Sequence, residues 1–240
     1  MTRATPAPAA RPAAPAPTRS TTAWTVAGAS AAGVLLLLFP ALRPWPDESV
    51  PALALAQAFA SDRWVLAHLC GIAGLGLLAP TFLGLRAVLR GRAARTGAAT
   101  AAVVTAWAGA GLCALYFGAE IFGIRTIAQA ALRTGDPTLL AEVDVLREQP
   151  AAMTVFGLGL ALVAAAGVLA VVATWRGGLR PPWVGIPLAA GLVLYLPQFF
   201  GAPAVRVGHG VLVALGLGLL AWAVSRPTST DTTTAGHPAG

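Results

Sequence analysis

"WVLAHLCGIAGLGLLAPTFLGL", residues 64–85, is an uncharged run whose only strongly polar groups are His68 and Thr81. As a helix it would span about 33 Å, enough for a bilayer core of ~30 Å. The chain around it is built the same way. Of 240 residues, 57% are hydrophobic and only 10% are charged, and the mean hydropathy is +0.73. A soluble domain carries about a quarter charged residues, so lipid must serve as solvent for much of this chain.

Six such runs can be counted, at about 22–40, 64–86, 99–122, 151–174, 183–200 and 207–225. The expected architecture is all-α: a polytopic bundle of six transmembrane spans over 22–225. Residues 1–21 are rich in Pro and Ala and 226–240 are polar; both read as disordered cytoplasmic tails. The first span reads as an uncleaved helix, because the small residues of "PALALAQA" (51–58) lie well beyond its apolar core.

Arginine sets the threading. With both termini in the cytoplasm, the inside segments hold ten arginines and one acid; the outside segments hold six arginines and eight acids. The short basic turns "RGRAAR" (90–95) and "RGGLR" (176–180) are the most diagnostic, since short loops follow the positive-inside rule best. Trp24, Trp175, Trp183 and Trp222 fall at the inner boundary, and Trp45 and Trp64 at the outer one, as an aromatic belt requires. The localisation is the cytoplasmic membrane. The expected partners are the lipid bilayer and anionic headgroups at its inner face. A pI near 11.2 does not indicate nucleic acid, because the arginines flank apolar spans and form no basic patch. A homo-oligomer stays open.

Gly- and Ala-rich spans allow close helix approach, and Pro80, Pro187 and Pro197 should kink the second and fifth. The outer loops hold helical patterns at 49–64 and 125–150. The third span is expected to continue to about Arg133, followed by an amphipathic segment bearing Leu139, Leu140, Val143 and Leu146.

Polar groups inside the spans are the candidates for function. His68, Glu120, Gln198 and His209 fall at similar depth near the outer boundary, with Tyr116 one turn from Glu120 on the same face. Three readings compete: hydrogen bonds between helices, an outward-open site for a small ligand or proton, and a metal or haem site. The last would use His68, Glu120 and His209, a two-histidine, one-carboxylate set, or the two histidines as axial ligands. Cys70 and Cys113 read as small apolar residues. No metal motif, nucleotide loop or serine dyad is evident, and no cofactor is expected.

"DRWVLAHLCGIAGLGLL" (62–78), "YFGAEIFGI" (116–124) and "WRGGLRPPWVGIPLAAGLVL" (175–194) resemble uncharacterised actinobacterial six-span integral membrane proteins of the domain-of-unknown-function type. The resemblance runs over most of 22–225 and implies a polytopic bacterial membrane protein, with no activity to lend. The functional expectation is a non-enzymatic small-molecule or stress-related sensor, or a transporter subunit, with a polar site at the outer leaflet. The alternative is a membrane-embedded metal- or haem-dependent enzyme.

Overall fold

The computed structural model describes residues 18–90 and 96–226. Both expected tails lie largely outside this range, as does most of the "RGRAAR" turn. All regular structure among the described residues is helical. The elements are α1 (Arg19–Leu42), α2 (Leu53–Ala60), α3 (Asp62–Gly76), α4 (Leu78–Arg90), α5 (Gly97–Ala119), α6 (Arg125–Thr134), α7 (Ala141–Arg147), α8 (Pro150–Arg176), α9 (Ile186–Val193) and α10 (Pro203–Ser225). The first helix therefore starts at Arg19, inside the stretch expected to be disordered, where the Thr18 hydroxyl accepts the Thr21 N–H as an N-cap.

Five stretches among the described residues are long and apolar enough to cross a membrane: Arg19–Leu42, Asp62–Arg90, Gly97–Thr134, Pro150–Arg176 and Pro203–Ser225. The second consists of α3 and α4 end to end. Pro80 has no N–H to offer the Gly76 carbonyl, so the helix breaks there and resumes through the bond from Thr81 N–H to Leu77 O. The third is α5 and α6 joined by one π turn, Glu120–Ile124. Its 38 residues would reach about 57 Å, so α6 extends well past a ~30 Å bilayer core.

The predicted fifth span, 183–200, takes a different form. Its α-helix is only eight residues long, and a turn then leads to a 3-10 turn at Pro197–Phe200. Pro197 cannot donate into a continuing α-helix, and that ends the element. The break frees the Gly191 carbonyl, since Tyr195 N–H turns instead to Leu192 O. His209 of α10 approaches that carbonyl with Nε2 at 2.7 Å. A carbonyl can only accept, so this nitrogen carries the proton and caps the broken end.

The long helices form a ring in chain order. α1 packs on α3 and α4, these on α5, α5 on α8, α8 on α9, α9 on α10, and α10 back on α1. Buried Ala, Leu, Phe and Val fill its centre. The outward faces are also apolar: Val34, Leu66, Leu83, Trp107, Leu115 and Leu158 are all exposed, which suits lipid and not water. Loops and short helices at one end of the ring build a cap with its own core, where Leu55, Phe59 and Trp64 meet Ile124, Ala128 and Val143. The Ser61 hydroxyl sets its corner, accepting Trp64 N–H and donating to Ala58 O. Gly135, at φ +70°, closes α6 in the left-handed region. Trp64 thus differs from the expected belt residue: it is fully buried under the cap.

The backbones of α5 and α8 approach closely. A Cβ at Gly109 would stand 2.8 Å from Gly159 O and 2.9 Å from Val163 N, whereas one at Gly111 would meet nothing within 4 Å. Gly109→Leu should therefore cost about 1–3 kcal/mol through overpacking, and Gly111→Leu should be near neutral. Thermal unfolding of the two variants in the same detergent checks this: only Gly109→Leu should lower Tm.

Candidate functional site

Beneath the cap, the ring opens into a cavity of about 500 Å³. Three of the residues singled out in the sequence, His68, Tyr116 and Glu120, line it. They come from α3, α5 and the π turn. Glu120 opens that turn and is only 5% exposed. Its carbonyl accepts the Trp64 indole N–H at 3.0 Å, which locks the π turn against α3.

The Glu120 carboxylate is held from the cap. Arg147 of α7 donates Nε to Oε1 at 2.8 Å and Nη2 to Oε2 at 3.1 Å. This fork-on-carboxylate geometry is the strongest form of charge-assisted hydrogen bond available to a side chain. Nη1 of the same guanidinium donates to Glu48 Oε2 at 2.8 Å. The other oxygen of Glu48 accepts Arg43 Nη2 at 2.9 Å. Arg43, Glu48, Arg147 and Glu120 therefore form one chain of alternating charge from the end of α1 to the end of α5.

Burial pulls the Arg147 pKa down, but the adjacent Glu120 and Glu48 outweigh it and raise it above the ordinary guanidinium value. Burial likewise pushes Glu48 up, and Arg43 and Arg147 more than reverse this, so its carboxyl titrates below the usual 4.5. For Arg43 burial wins, and its pKa is lowered.

His68 Nδ1 stands 2.7 Å from Trp64 O. The carbonyl must accept, so Nδ1 bears the proton of the neutral ring. Nε2 then presents a lone pair toward Glu120 Oε2 at 3.7 Å, too long for a hydrogen bond. The ring is edge-on to Phe39 and Phe117, with centroids 5.4 and 5.8 Å away. Tyr116 stacks on Phe156 at 4.1 Å. The cavity wall thus joins a charged network to a larger aromatic and apolar surface.

The other two candidates lie elsewhere. Gln198 and His209 line a separate cavity of about 310 Å³ beside Leu194, Pro197, Val205 and Leu212. His209 is committed to the Gly191 carbonyl and to an edge contact with Tyr195 at 5.1 Å. The two-histidine, one-carboxylate set considered from the sequence is therefore not assembled. Among the described residues, no three His, Cys, Asp or Glu side chains stand together as metal ligands would.

No family model, curated protein or solved structure matches the chain. The site must be read from its own chemistry.

Four groups essential to that site were absent from the sequence-based set: Arg43, Glu48, Arg147 and Arg206. All counted there as outer-loop charges. Arg206 donates Nε to Gly201 O at 2.9 Å and Nη2 to Phe199 O. Its guanidinium carbon lies 4.9 Å from the Trp45 ring, and that of Arg43 lies 4.5 Å from the same ring. The one local signal was "LRPWPDE" (42–48), which places three charges, an aromatic residue and two prolines directly after a span. Arg147 is 27 residues from its partner, and no periodicity links them.

Removing Arg147 would strand a buried carboxylate. Arg147→Gln should destabilise the protein by about 3–5 kcal/mol, and Glu120→Gln in that background should recover part of the loss; a double-mutant cycle of unfolding free energies measures both. Glu48 provides a pH test. Its folded carboxyl titrates below the unfolded one, so its stabilisation is complete above the ordinary value of 4.5 and is lost as pH falls through the lower folded value. Plotted against pH, the acid limb of Tm should be shallower in Glu48→Gln than in the native protein.

Proposed function

We propose that the chain crosses the cytoplasmic membrane six times with both ends inside, and that it holds a small molecule in a cavity open to the outer side. The work it does there is sensing, or binding on behalf of a transport partner, and not catalysis. Five crossings are the long apolar helices. The sixth is the segment 186–200, which packs against α8 and α10 although its helix is broken. The orientation rests on arginine: Arg86, Arg90, Arg176, Arg180 and Arg226 gather at the end of the ring opposite the cap, as the positive-inside rule requires of a cytoplasmic face. The affinity with actinobacterial six-span membrane proteins is part of the same proposal and fits this topology.

The observation that carries the binding reading is the cavity itself. A charged network that only stapled helices together could close completely on itself, yet here it walls about 500 Å³ of space. Concave, largely apolar sites with a few convergent polar groups are the ordinary form of a ligand pocket. The non-enzymatic reading is supported by what lines it. Among its lining residues there is no Ser, Thr, Cys or Asp, and Glu120 is tied to Arg147 in a way that leaves no carboxylate free to take a proton from a substrate.

Cysteine labelling tests sidedness and access together. Cys70 and Cys113 are both buried. A membrane-impermeant maleimide should therefore react in intact cells with Glu148→Cys on the cap and Pro46→Cys in the cavity wall, and with Thr96→Cys only after permeabilisation. The reverse pattern overturns the orientation, and an unreactive Pro46→Cys overturns the open cavity.

A further inference from the structure

Three guanidinium groups, Arg43, Arg147 and Arg206, line the cavity against two carboxylates, Glu48 and Glu120. Both carboxylates are consumed by Arg43 and Arg147. Arg206 makes its hydrogen bonds to backbone carbonyls alone among the described residues, so no carboxylate bonds it directly, and Glu48, already shared by Arg43 and Arg147, acts on it only at longer range. Arg43 has one carboxylate contact, through Nη2, and its remaining N–H groups reach no protein acceptor among the described residues. One net positive charge thus faces the cavity, a setting that favours a monovalent anion.

The cavity has a second character. One side of its wall comes from the first turn of α8, the 3-10 turn and the first turn of α10. Met153, Leu196 and Phe200 stand there, 53%, 44% and 86% exposed. Apolar side chains this open are comfortable against lipid and costly against water. Segment 186–200 is broken beside this wall, and its 3-10 turn lines the cavity through Phe199 and Phe200. Directly inside lies the aromatic stack of Tyr116, Phe156 and Phe199. A molecule entering from the side would pass alkyl contacts first and meet the arginines last.

We infer that the ligand of this cavity is an anionic amphiphile of the outer leaflet, a lipid-like molecule whose singly charged headgroup seats against Arg206 and Arg43 while its tail leaves between α8 and α10. This deepens the binding reading above and rests on it. The occupant differs from headgroups at the inner face, which meet the arginines at the opposite end.

The test is native mass spectrometry of the purified full chain in mixed micelles of phosphatidylglycerol and phosphatidylcholine with matched acyl chains. The native protein should retain phosphatidylglycerol about tenfold over phosphatidylcholine, a difference of about 1.4 kcal/mol. Arg206→Gln should remove most of that preference, and Arg226→Gln, at the other end, should leave it intact. Met153→Trp, which fills the lateral mouth without touching the charges, should lower retention of phosphatidylglycerol if Arg206→Gln fails to fold.

Equal retention of the two lipids overturns the inference, as does a preference abolished by Arg226→Gln and not by Arg206→Gln. Inorganic phosphate or glycerol phosphate that displaces the lipid at equal concentration would identify a free anion as the ligand and overturn the amphiphile. Maleimide labelling of Pro46→Cys in phosphatidylcholine discs reads the open cavity independently. If that cysteine labels while the lipids bind alike, the cavity stands and only its ligand class falls.

Discussion

A carboxylate cannot stay ionised in a mostly apolar bundle without a partner, and the contact between Glu120 and Arg147 answers that constraint. Much of the structure follows from it. Glu120 opens the π turn where α5 leaves the ring. Arg147 reaches it because α6 runs beyond the spanning region, turns at Gly135 and returns through α7. The cap is thereby fastened to the bundle by two charge-assisted hydrogen bonds, and Glu48 and Arg43 extend the attachment to α1. Burying charge has no value for stability in itself. Its effect here is positional: it holds three elements distant in sequence around one cavity.

The broken helix has the complementary role. Proline at 197 ends α9 and leaves a carbonyl with no helical partner, and His209 supplies the missing donor. That single bond makes an interruption tolerable at a depth where water is scarce. The 3-10 turn that follows the interruption lines the cavity through Phe199 and Phe200. The two histidines thus have separate tasks. His209 satisfies backbone, whereas His68 holds a lone pair 3.7 Å from the Glu120 carboxylate at the cavity wall.

Much of this was legible in the residues. Apolar runs of bilayer length located five helices to within a few residues at most ends, and "GDP" (135–137) marked the end of the third stretch. Pro80, Pro187 and Pro197 pointed to the second and fifth runs as the irregular ones. His68, Tyr116 and Glu120 stood out as polar groups in apolar surroundings, and the structure gathers them in one cavity. Gln198 and His209, expected at the same depth, line a different cavity. Arg147 looked like an ordinary loop charge, because a contact made 27 residues away leaves no local trace.

These outcomes share one cause. Bilayer thickness and a fixed rise per residue tie a residue's number to its height along the membrane normal, so the amino-acid order alone determined how deep each polar group lies. Rotation about each helix axis is another matter. The spans are apolar on all sides, inward and outward alike, and hydropathy cannot say which face turns to the centre. Close backbone approaches such as Gly109 against Gly159, together with the pull of Arg147 on Glu120, select that rotation. Only the packed tertiary structure could therefore decide which of the groups at one depth would meet.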